Sequence, residues 1–369
     1  EDVMELHLHG GRAVIEGVYS ALSAQEGFRF AENGEFSKRA VMNGRIDLTE
    51  AEGINDLINA ETEAQRDQGL NQLEGALRLQ LEKWSRDLKG FGAHIEAYID
   101  FPDEQIPENV LSDLLQGVEE TNRELKEFVD DDRKGEILRS GLKVAVIGPP
   151  NVGKSSFVNW LTKRDIAITS EKAGTTRDIV EAHLDLGGYP VTVADTAGMR
   201  ESEDTIEQEG IRRARSWSES ADLRVLILDP ETAEDANAFS DLLKSGDPVL
   251  MNKADRITIV KKKMSSVYSL VSVKTGYGLA STLSELTTIA KKKMGTQKPT
   301  TITQARHRAL LNDCLTALRE AHFGLRNHAD LELIAEDFRS AIYCIGRITG
   351  HIDVEDLLDV VFKEFCIGE

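Results

Sequence analysis

The sequence predicts an α/β domain inserted into an all-α helical domain, with the remainder of another α/β domain in front of both. Three observations support this fold class. Apolar strands alternate with helices in the middle of the chain, long helices with regular apolar faces flank that stretch, and a short strand-turn-helix pattern opens the sequence. The predicted domains are residues 1–44 for the first remainder, 140–296 for the inserted domain, and 45–139 with 297–369 for the two parts of the helical domain.

The composition restricts the class of protein. Of 369 residues, 40% are hydrophobic and 29% charged, and no apolar run is long enough to cross a bilayer, so we expect no membrane partner. The odd number of cysteines, three, favours a reducing, cytoplasmic compartment over a disulfide framework. A net charge of −20 argues against general coating by nucleic acid but leaves one local site open.

The amino-terminal residues have the alternating pattern of a strand at 3–9, followed by the Gly10-Gly11 turn and a helix over 13–22. Because this strand begins at the first residues, we expect preceding sequence to be absent from this chain.

Both flanks of the central stretch carry helical periodicity. Apolar residues recur at spacings of three and four from Leu70 to Leu88, and again over 311–325, 331–345 and 357–365. Each such face needs a partner, and the other flank is the nearest one available. The two flanks therefore predict one helical domain.

The central stretch has predicted strands at 142–147, 191–194, 224–228 and 248–251, which alternate with helices and indicate a parallel sheet. The first strand is followed directly by GPPNVGKS at 148–155, a match to GxxxxGK[ST]. The glycines of this motif let the backbone wrap around phosphates, and the next helix directs its N-terminus at them. We expect Lys154 to neutralise the β- and γ-phosphates and Ser155 to bind Mg²⁺. The nucleotide contacts predicted here are Asn151, Val152, Gly153, Lys154, Ser155 and Ser156.

Three further motifs follow strands in the same order. Asp195 begins DTAG, where the carboxylate is expected to hold Mg²⁺ through water and the Gly198 N–H to contact the γ-phosphate. In NKAD at 252–255, the Asp255 carboxylate matches the N1–H and 2-amino donors of guanine. We expect Asn252 and Lys253 to brace the base pocket, and Ser272, Val273 and Lys274 to form the last base-contacting loop. Four motifs in this order, each at the carboxyl end of a strand, predict a GTP site.

The switch segments are less regular. Thr175 and Thr176 lie where the first switch is expected, and Thr176 is the favoured Mg²⁺ ligand, with a polar capped loop as the alternative. In the second switch, Met199 stands where many GTPases have a water-orienting glutamine. Another group must orient the water, and the local pattern does not choose among the acidic residues of this segment, which a solvated helix also explains: Glu201, Glu203, Asp204, Glu207 and Glu209.

Segments outside these motifs resemble the tRNA modification GTPases known as MnmE or TrmE. They are ELHLHGG at 5–11, GEFSKRA at 34–40, NGRIDL at 43–48, DTAGMR at 195–200, IGRITG at 345–350 and FCIG at 365–368. The resemblance implies an N-terminal folate-binding α/β domain and a helical domain into which a P-loop GTPase domain is inserted. It departs from the family pattern at Glu369, where lysine is usual, and this puts in doubt a role for a terminal positive charge.

The resemblance implies an activity and partners. Members hydrolyse GTP and modify C5 of the wobble uridine of certain tRNAs together with a flavoprotein called GidA or MnmG. It implies a homodimer formed through the N-terminal domains, a tetrahydrofolate derivative as one-carbon carrier, and K⁺-dependent pairing of the GTPase domains. An RNA-binding GTPase of ribosome assembly is the alternative, which the terminal Cys-Ile-Gly and the N-terminal segment oppose.

The resemblance also implies roles for individual residues. It places Asn151 and the carbonyls of Ser170, Lys172 and Thr175 around K⁺. It implies that Glu207 is the catalytic glutamate, acting through a bridging water, and that Cys366 takes part in the modification chemistry, with a buried helix-end thiol as the alternative. Candidates for folate contacts, each with a domain-interface role as the alternative, are Glu5, Arg39 and Asn43.

Overall fold

A computed structural model describes the chain over most of its length. The described residues are 2–101, 108–164, 166, 168, 181–195, 217–232, 239–256, 268–295, 300–352, 358, 361–363 and 365. The chain divides into two compact units, of which unit 1 comprises 1–58, 69–129 and 306–369 and unit 2 comprises 59–68 and 130–305.

The helices and strands follow one another as the sequence pattern suggests for its middle and its flanks. The helices are α1 (Arg12–Ser23), α2 (Glu35–Met42), α3 (Leu48–Ile58), α4 (Glu63–Leu73), α5 (Ala76–Asp100), α6 (Glu108–Val129), α7 (Lys134–Ser140), α8 (Lys154–Thr162), α9 (Leu279–Met294), α10 (Ala305–Arg326) and α11 (Leu331–Thr349). The strands are β1 (Leu142–Ile147), β2 (Glu181–Asp185), β3 (Pro190–Asp195), β4 (Leu223–Leu228), β5 (Val249–Met251) and β6 (Ser269–Leu270). Among these helices, none is both long enough and apolar enough to span a bilayer.

Unit 1 is organised around the pair formed by α5 and α11. The apolar stripe that the sequence predicts lies on the buried face of α5, which includes Leu81, Trp84 and Leu88. Burial of each such side chain stabilises the fold by about 1.5–3 kcal/mol. The ring of Phe91 on α5 meets that of Phe338 on α11 at 6.0 Å between centroids, so the pair joins residues from both flanks of unit 2.

The ends of the chain differ in how they pack within unit 1. The predicted helix over 13–22 is present as α1, but none of its residues is buried among the described residues. The strand predicted at 3–9 is wrong: within the described residues this segment is neither helix nor strand. A strand needs a neighbour for its backbone hydrogen bonds, and the described part of the chain supplies none here. Near the other end, Phe362 and Phe365 pack on Leu48 in a buried apolar cluster.

Unit 2 contains a six-stranded sheet in the order β2-β3-β1-β4-β5-β6. All neighbouring pairs are parallel except β2 with β3, so the parallel sheet predicted from the sequence is present with one added antiparallel edge strand. Side chains of β1 alternate between two apolar cores, with Val144 and Val146 in one and Ala145 and Ile147 in the other. The sheet is therefore covered on both faces.

The parallel strands bring their carboxyl ends to one edge of the sheet. There, β1 ends at Ile147, β3 at Asp195, β4 at Leu228 and β5 at Met251. Ligands of open α/β sheets bind beyond this edge. The described motif residues next to the ends of β1, β3 and β5 are thereby brought to this edge of the sheet.

Candidate nucleotide-binding site

The loop at 148–153 connects β1 to α8 and depends on two glycines. Gly148 has φ 142°, and a Cβ there would lie 2.1 Å from the carbonyl oxygen of Ile227 on β4. Gly153 has φ 102°, and its Cβ would lie 2.4 Å from Nδ2 of Asn252. No other residue fits these close approaches, because any side chain would push the loop away from β4 and from Asn252.

Lys154 is the first residue of α8 and is buried beneath this loop. Its Nζ donates hydrogen bonds to the carbonyl oxygens of Gly148 at 2.8 Å and Pro149 at 2.7 Å. Ser155 and Ser156, in the first turn of α8, are exposed, as is Asn151, which has a left-handed φ of 62°. A cation and a helix N-terminus next to one loop form an electrostatically favourable place for an anion such as phosphate.

Asn252 joins this loop to the predicted base-contacting loop. Its Nδ2 donates to the carbonyl oxygen of Val152 at 2.7 Å, and its Oδ1 accepts from the N–H of Val273 at 3.1 Å. Its backbone N–H donates to the Leu228 carbonyl at 2.7 Å, which anchors it to the end of β4. Three of the segments singled out in the sequence therefore meet at one buried amide.

Asp255 lies exposed in a short 3₁₀ turn directly beyond Asn252 and Lys253. The Ser272 hydroxyl donates to Asp255 Oδ1 at 2.6 Å, and the N–H of Thr275 donates to the Ser272 Oγ at 3.3 Å. The Ser272 hydrogen bond is the main cause that lowers the pKa of Asp255, with the nearby charges of Lys274 and Arg256 acting in the same direction. The Ser272 hydroxyl thus favours the ionised form of the carboxylate and orients its Oδ1.

Lys253 has a partner that sequence analysis missed. Its Nζ lies 2.5 Å from Oδ2 of Asp229, the first residue after β4. Burial alone would raise the pKa of Asp229, but the hydrogen bonds from Lys253 and Thr232 outweigh it and lower that pKa. The available signal was the position of Asp229, an acidic residue at the carboxyl end of a buried strand.

The remaining predicted ligands of phosphate and metal are described only in part. Asp195 is the last residue of β3 and pairs with Val146 of β1, next to the start of the loop at 148–153. The other residues predicted for the switches, the potassium site and the terminal cysteine lie outside the described residues: Ser170, Lys172, Thr175, Thr176, Gly198, Glu207 and Cys366. The alternative acidic candidates Glu201, Glu203, Asp204 and Glu209 lie outside them as well.

The residues predicted to contact folate are all exposed. Asn43 Nδ2 donates to the backbone carbonyl of Arg39 at 2.7 Å, and Arg39 lies 3.8 Å from Glu35 in the same helix, α2. Glu5 is near His7, with 3.5 Å between the carboxylate and the ring nitrogen. The structure brings Arg39 and Asn43 together, and no described contact joins Glu5 to them.

Comparisons with known proteins cover the whole chain. The family model described as the MnmE helical domain matches residues 48–366, and the model described as the GTP-binding protein TrmE N-terminus matches residues 1–45. The tRNA modification GTPase MnmE of Parvibaculum lavamentivorans is 47% identical over 100% of this chain and 83% of its own length. That of Rickettsia bellii is 46% identical with the same coverage, and that of Rhodospirillum rubrum is 47% identical over 100% of this chain and 81% of its own.

Solved structures match part of the chain, at lower identity. The G domain of the T. maritima FeoB iron transporter is 25% identical and covers 40% of this chain, with a TM-score of 0.31. That score is too low to bear on function. Identity along the full length and two matching family models are sufficient to assign the family: the chain belongs to the MnmE, or TrmE, family of tRNA modification GTPases.

Proposed function

We propose that the chain binds and hydrolyses GTP, and that hydrolysis drives a tRNA modification at C5 of the wobble uridine together with the flavoprotein GidA (MnmG). The observation that carries the nucleotide part is the position of Asn252, bonded both to the loop at 148–153 and to Val273, with the ionised Asp255 three residues beyond it. Family membership supports the tRNA part, since the relatives are named tRNA modification GTPases.

In this proposal the phosphates bind at the loop between β1 and α8. Backbone N–H groups of the loop and the first turn of α8 donate to the phosphate oxygens, and Lys154 neutralises the β- and γ-phosphates. Ser155, Thr176 and Asp195 would hold Mg²⁺, which when bound neutralises charge on the β- and γ-oxygens. Ser155 in the first turn of α8 and Asp195 at the end of β3 suit this donor set, since β3 pairs with β1, the strand that leads through the loop at 148–153 into α8.

The base binds against Asp255. A carboxylate accepts from both N1–H and the 2-amino group of guanine, whereas adenine presents no such pair of donors. Ser272 keeps this carboxylate oriented, and Asn252 and Lys253 brace the pocket on the side of β5. Val273 and Lys274 complete the loop that faces the base.

Hydrolysis requires groups in the switch segments. Asn151, with carbonyls of Ser170, Lys172 and Thr175, would hold K⁺, whose charge offsets that developing on the transferred phosphoryl group. Glu207 orients the attacking water through a second water, since Met199 has no group suited to that task. This potassium requirement accompanies pairing of two GTPase domains in a homodimer.

The GTPase domain at 140–296 is inserted between 45–139 and 297–369, which is supported by the packing of α5 on α11 from opposite sides of that stretch. Residues 1–44 belong to a domain that binds a tetrahydrofolate derivative, with Glu5, Arg39 and Asn43 among its contacts. Cys366 takes part in the modification chemistry, and the protein acts in the cytoplasm.

Two measurements test the GTPase proposal. Calorimetric titration should show GDP and GTP binding and no measurable ADP or ATP binding; equal affinities would refute guanine recognition. Single-turnover hydrolysis should be fast in KCl and slow in NaCl. Glu207→Ala should abolish it while leaving the Kd for GDP unchanged, whereas Glu209→Ala should retain it. The opposite result would move the water-positioning role to Glu209.

The tRNA proposal needs a separate measurement. Nucleosides from cells lacking this protein should show loss of the C5 modification, and the intact gene should restore it while Asp255→Ala should not. Normal levels of the modified nucleoside, together with accumulating ribosomal precursors, would favour a ribosome-assembly GTPase instead.

A further inference from the structure

Asp229 has a buried carboxylate that is oriented by hydrogen bonds to one of its two oxygens. Its side chain is only 4% exposed, and Oδ1 accepts from the backbone N–H groups of Glu231 at 3.1 Å and Thr232 at 3.0 Å. The Thr232 hydroxyl also donates to Oδ1, at 3.0 Å. These three bonds hold Oδ1, and Oδ2 faces the ammonium group of Lys253 at 2.5 Å.

Lys253 is placed for this contact by the sheet. Leu228 of β4 pairs with Met251 of β5, so the residues that follow the two strands are neighbours, and Lys253 turns with a left-handed φ of 58°. A lysine side chain carries about 2 kcal/mol of rotamer entropy, so it samples many positions unless something holds it. Here a preset carboxylate holds it.

The negative charge of the buried Asp229 bears on why an aspartate stands at this position. A buried carboxylate is unfavourable unless paired and hydrogen-bonded. An asparagine would keep an oxygen acceptor for Glu231 and Thr232 and would avoid that cost. The feature of aspartate that asparagine lacks is the negative charge, and in the described structure that charge faces Lys253.

We infer that Asp229 is a positioning residue for guanine-nucleotide binding, acting through Lys253. The inference rests on the proposed function, in which Lys253 braces the base pocket between Asn252 and Asp255. Asp229 itself does not contact nucleotide in this role. It keeps the lysine side chain against the end of β4, so that the pocket is preformed before the base arrives.

Loss of the Asp229 charge should weaken nucleotide binding without slowing catalysis. Asp229→Asn retains the shape and the Oδ1 acceptor but removes the charge, and it should raise the Kd for GDP about tenfold. In single-site kinetics the KM for GTP should rise similarly while kcat stays within about twofold, because ground-state binding and transition-state binding are weakened alike. A defect in catalysis would instead lower kcat.

A double-variant cycle separates action through Lys253 from a general structural effect. If Asp229 acts only by holding Lys253, adding Asp229→Asn to Lys253→Met should change the GDP Kd by less than about twofold. If the two effects multiply, Asp229 acts elsewhere and the inference is overturned.

Asp247→Asn is the matched control in the same unit. Asp247 is equally buried, at 4% exposed, and accepts from the N–H groups of Arg224 at 3.2 Å and Lys244 at 2.8 Å. It lies at the amino ends of β4 and β5, the edge of the sheet opposite the site. This variant should lower the Tm without changing the GDP Kd.

The outcomes distinguish the inference from the proposed function. All titrations use the full chain at a temperature where circular dichroism shows each variant folded. If the wild type binds GDP and Asp229→Asn binds it equally well, the inference alone is refuted. If the wild type does not bind GDP, the proposed function fails, and the inference fails with it.

Discussion

The side-chain amide of Asn252 donates to the backbone carbonyl of Val152 at 2.7 Å, across 100 positions of sequence. Both groups are buried, and the amide oxygen of Asn252 is bonded in turn to the N–H of Val273. One side chain thus fixes the distance between the loop proposed to hold phosphate and the loop proposed to face the base. This link therefore supports the binding of a nucleotide both at its phosphates and at its base.

Asn252→Ala should weaken nucleotide binding substantially. The substitution removes the partner of the buried Val152 carbonyl, at a cost of about 1–3 kcal/mol, and that of the partly buried Val273 N–H. We expect the Kd for GDP, measured by fluorescence titration, to rise at least tenfold, corresponding to about 1.4 kcal/mol. Asn312→Ala, which removes a comparable amide bonded to the Arg308 carbonyl at an exposed position of α10, should leave it unchanged. An unaltered Kd in Asn252→Ala would disconnect the amide from binding.

Asp255→Asn should change which base is bound. Asparagine offers one acceptor and one donor in place of two acceptors, so it no longer matches the N1–H and 2-amino donors of guanine, while its donor matches the 2-oxo group of xanthine. Competition titrations should show GDP affinity falling at least about 100-fold and xanthosine diphosphate affinity rising. Asp241→Asn, an exposed carboxylate in the same unit, is the control. Retained guanine preference would place base recognition elsewhere.

In unit 2, local sequence patterns identified the strands that are buried on both faces of the sheet and the loops that carry a motif. Every residue of β4 is buried and all but Arg224 are apolar, so this run is visible without any knowledge of its neighbours. The edge strand β2 was missed because its fully buried apolar residue, Leu184, gains its significance only from pairing with β3. For the opposite reason, the alternation at 3–9 was misleading: the pattern is present, but a partner strand is not, among the described residues.

The same distinction applies to the candidate site. The motif residues were predicted because their chemistry repeats at fixed spacings after strands, and the structure brings the loop at 148–153, Asn252, Asp255 and Ser272 together. The ion pair of Lys253 with Asp229 follows from the pairing of β4 with β5, which no local spacing encodes. The position of Asp229 at the end of a buried strand is visible in the sequence, but its pairing with Lys253 is not.

Gly153→Ala should disturb the site in two ways: by straining the backbone at residue 153 and by a clash with Asn252. The added Cβ would lie 2.4 Å from Asn252 Nδ2, and Asn252 has no room to yield, because its amide is already bonded on both sides. We expect loss of stability of about 1–3 kcal/mol from the left-handed conformation, and in addition a rise in the GDP Kd. The control is Gly246→Ala, where φ is 94° but nothing lies within 4 Å. It should show the stability loss alone; equal binding by both variants would contradict the close-approach argument.

Unit 1 contains a buried ion cluster that predicts its behaviour in acid. Glu52 of α3 accepts from Arg306 Nε at 2.8 Å, and its other oxygen lies 2.9 Å from Nε2 of the fully buried His307. Burial alone would raise the pKa of Glu52, but His307 and Arg306 outweigh it and lower the pKa from 4.5 to about 2. Because the folded-state pKa lies below the unfolded one, the stabilisation is complete above pH 4.5 and is lost as the pH falls toward 2.

Glu52→Gln should therefore destabilise unit 1 most at neutral pH. Removing one partner of a buried ion pair costs about 3–5 kcal/mol, because it leaves the other charge uncompensated.

Urea unfolding should be followed by Trp84 fluorescence in a Trp160→Phe, Trp217→Phe background, since Trp84 is the tryptophan that reports on unit 1. The difference in unfolding free energy between the wild type and the Glu52→Gln variant should be full at pH 7. It should shrink below pH 4.5, because Glu52 then takes up a proton in the unfolded wild-type chain while it is still ionised in the folded one. Glu96→Gln, which breaks an exposed pair with Arg339, should cost less than about 1 kcal/mol at either pH. A difference of constant size down to pH 2 would mean that Glu52 stabilises the helices by its shape and hydrogen bonds, and that its charge is irrelevant.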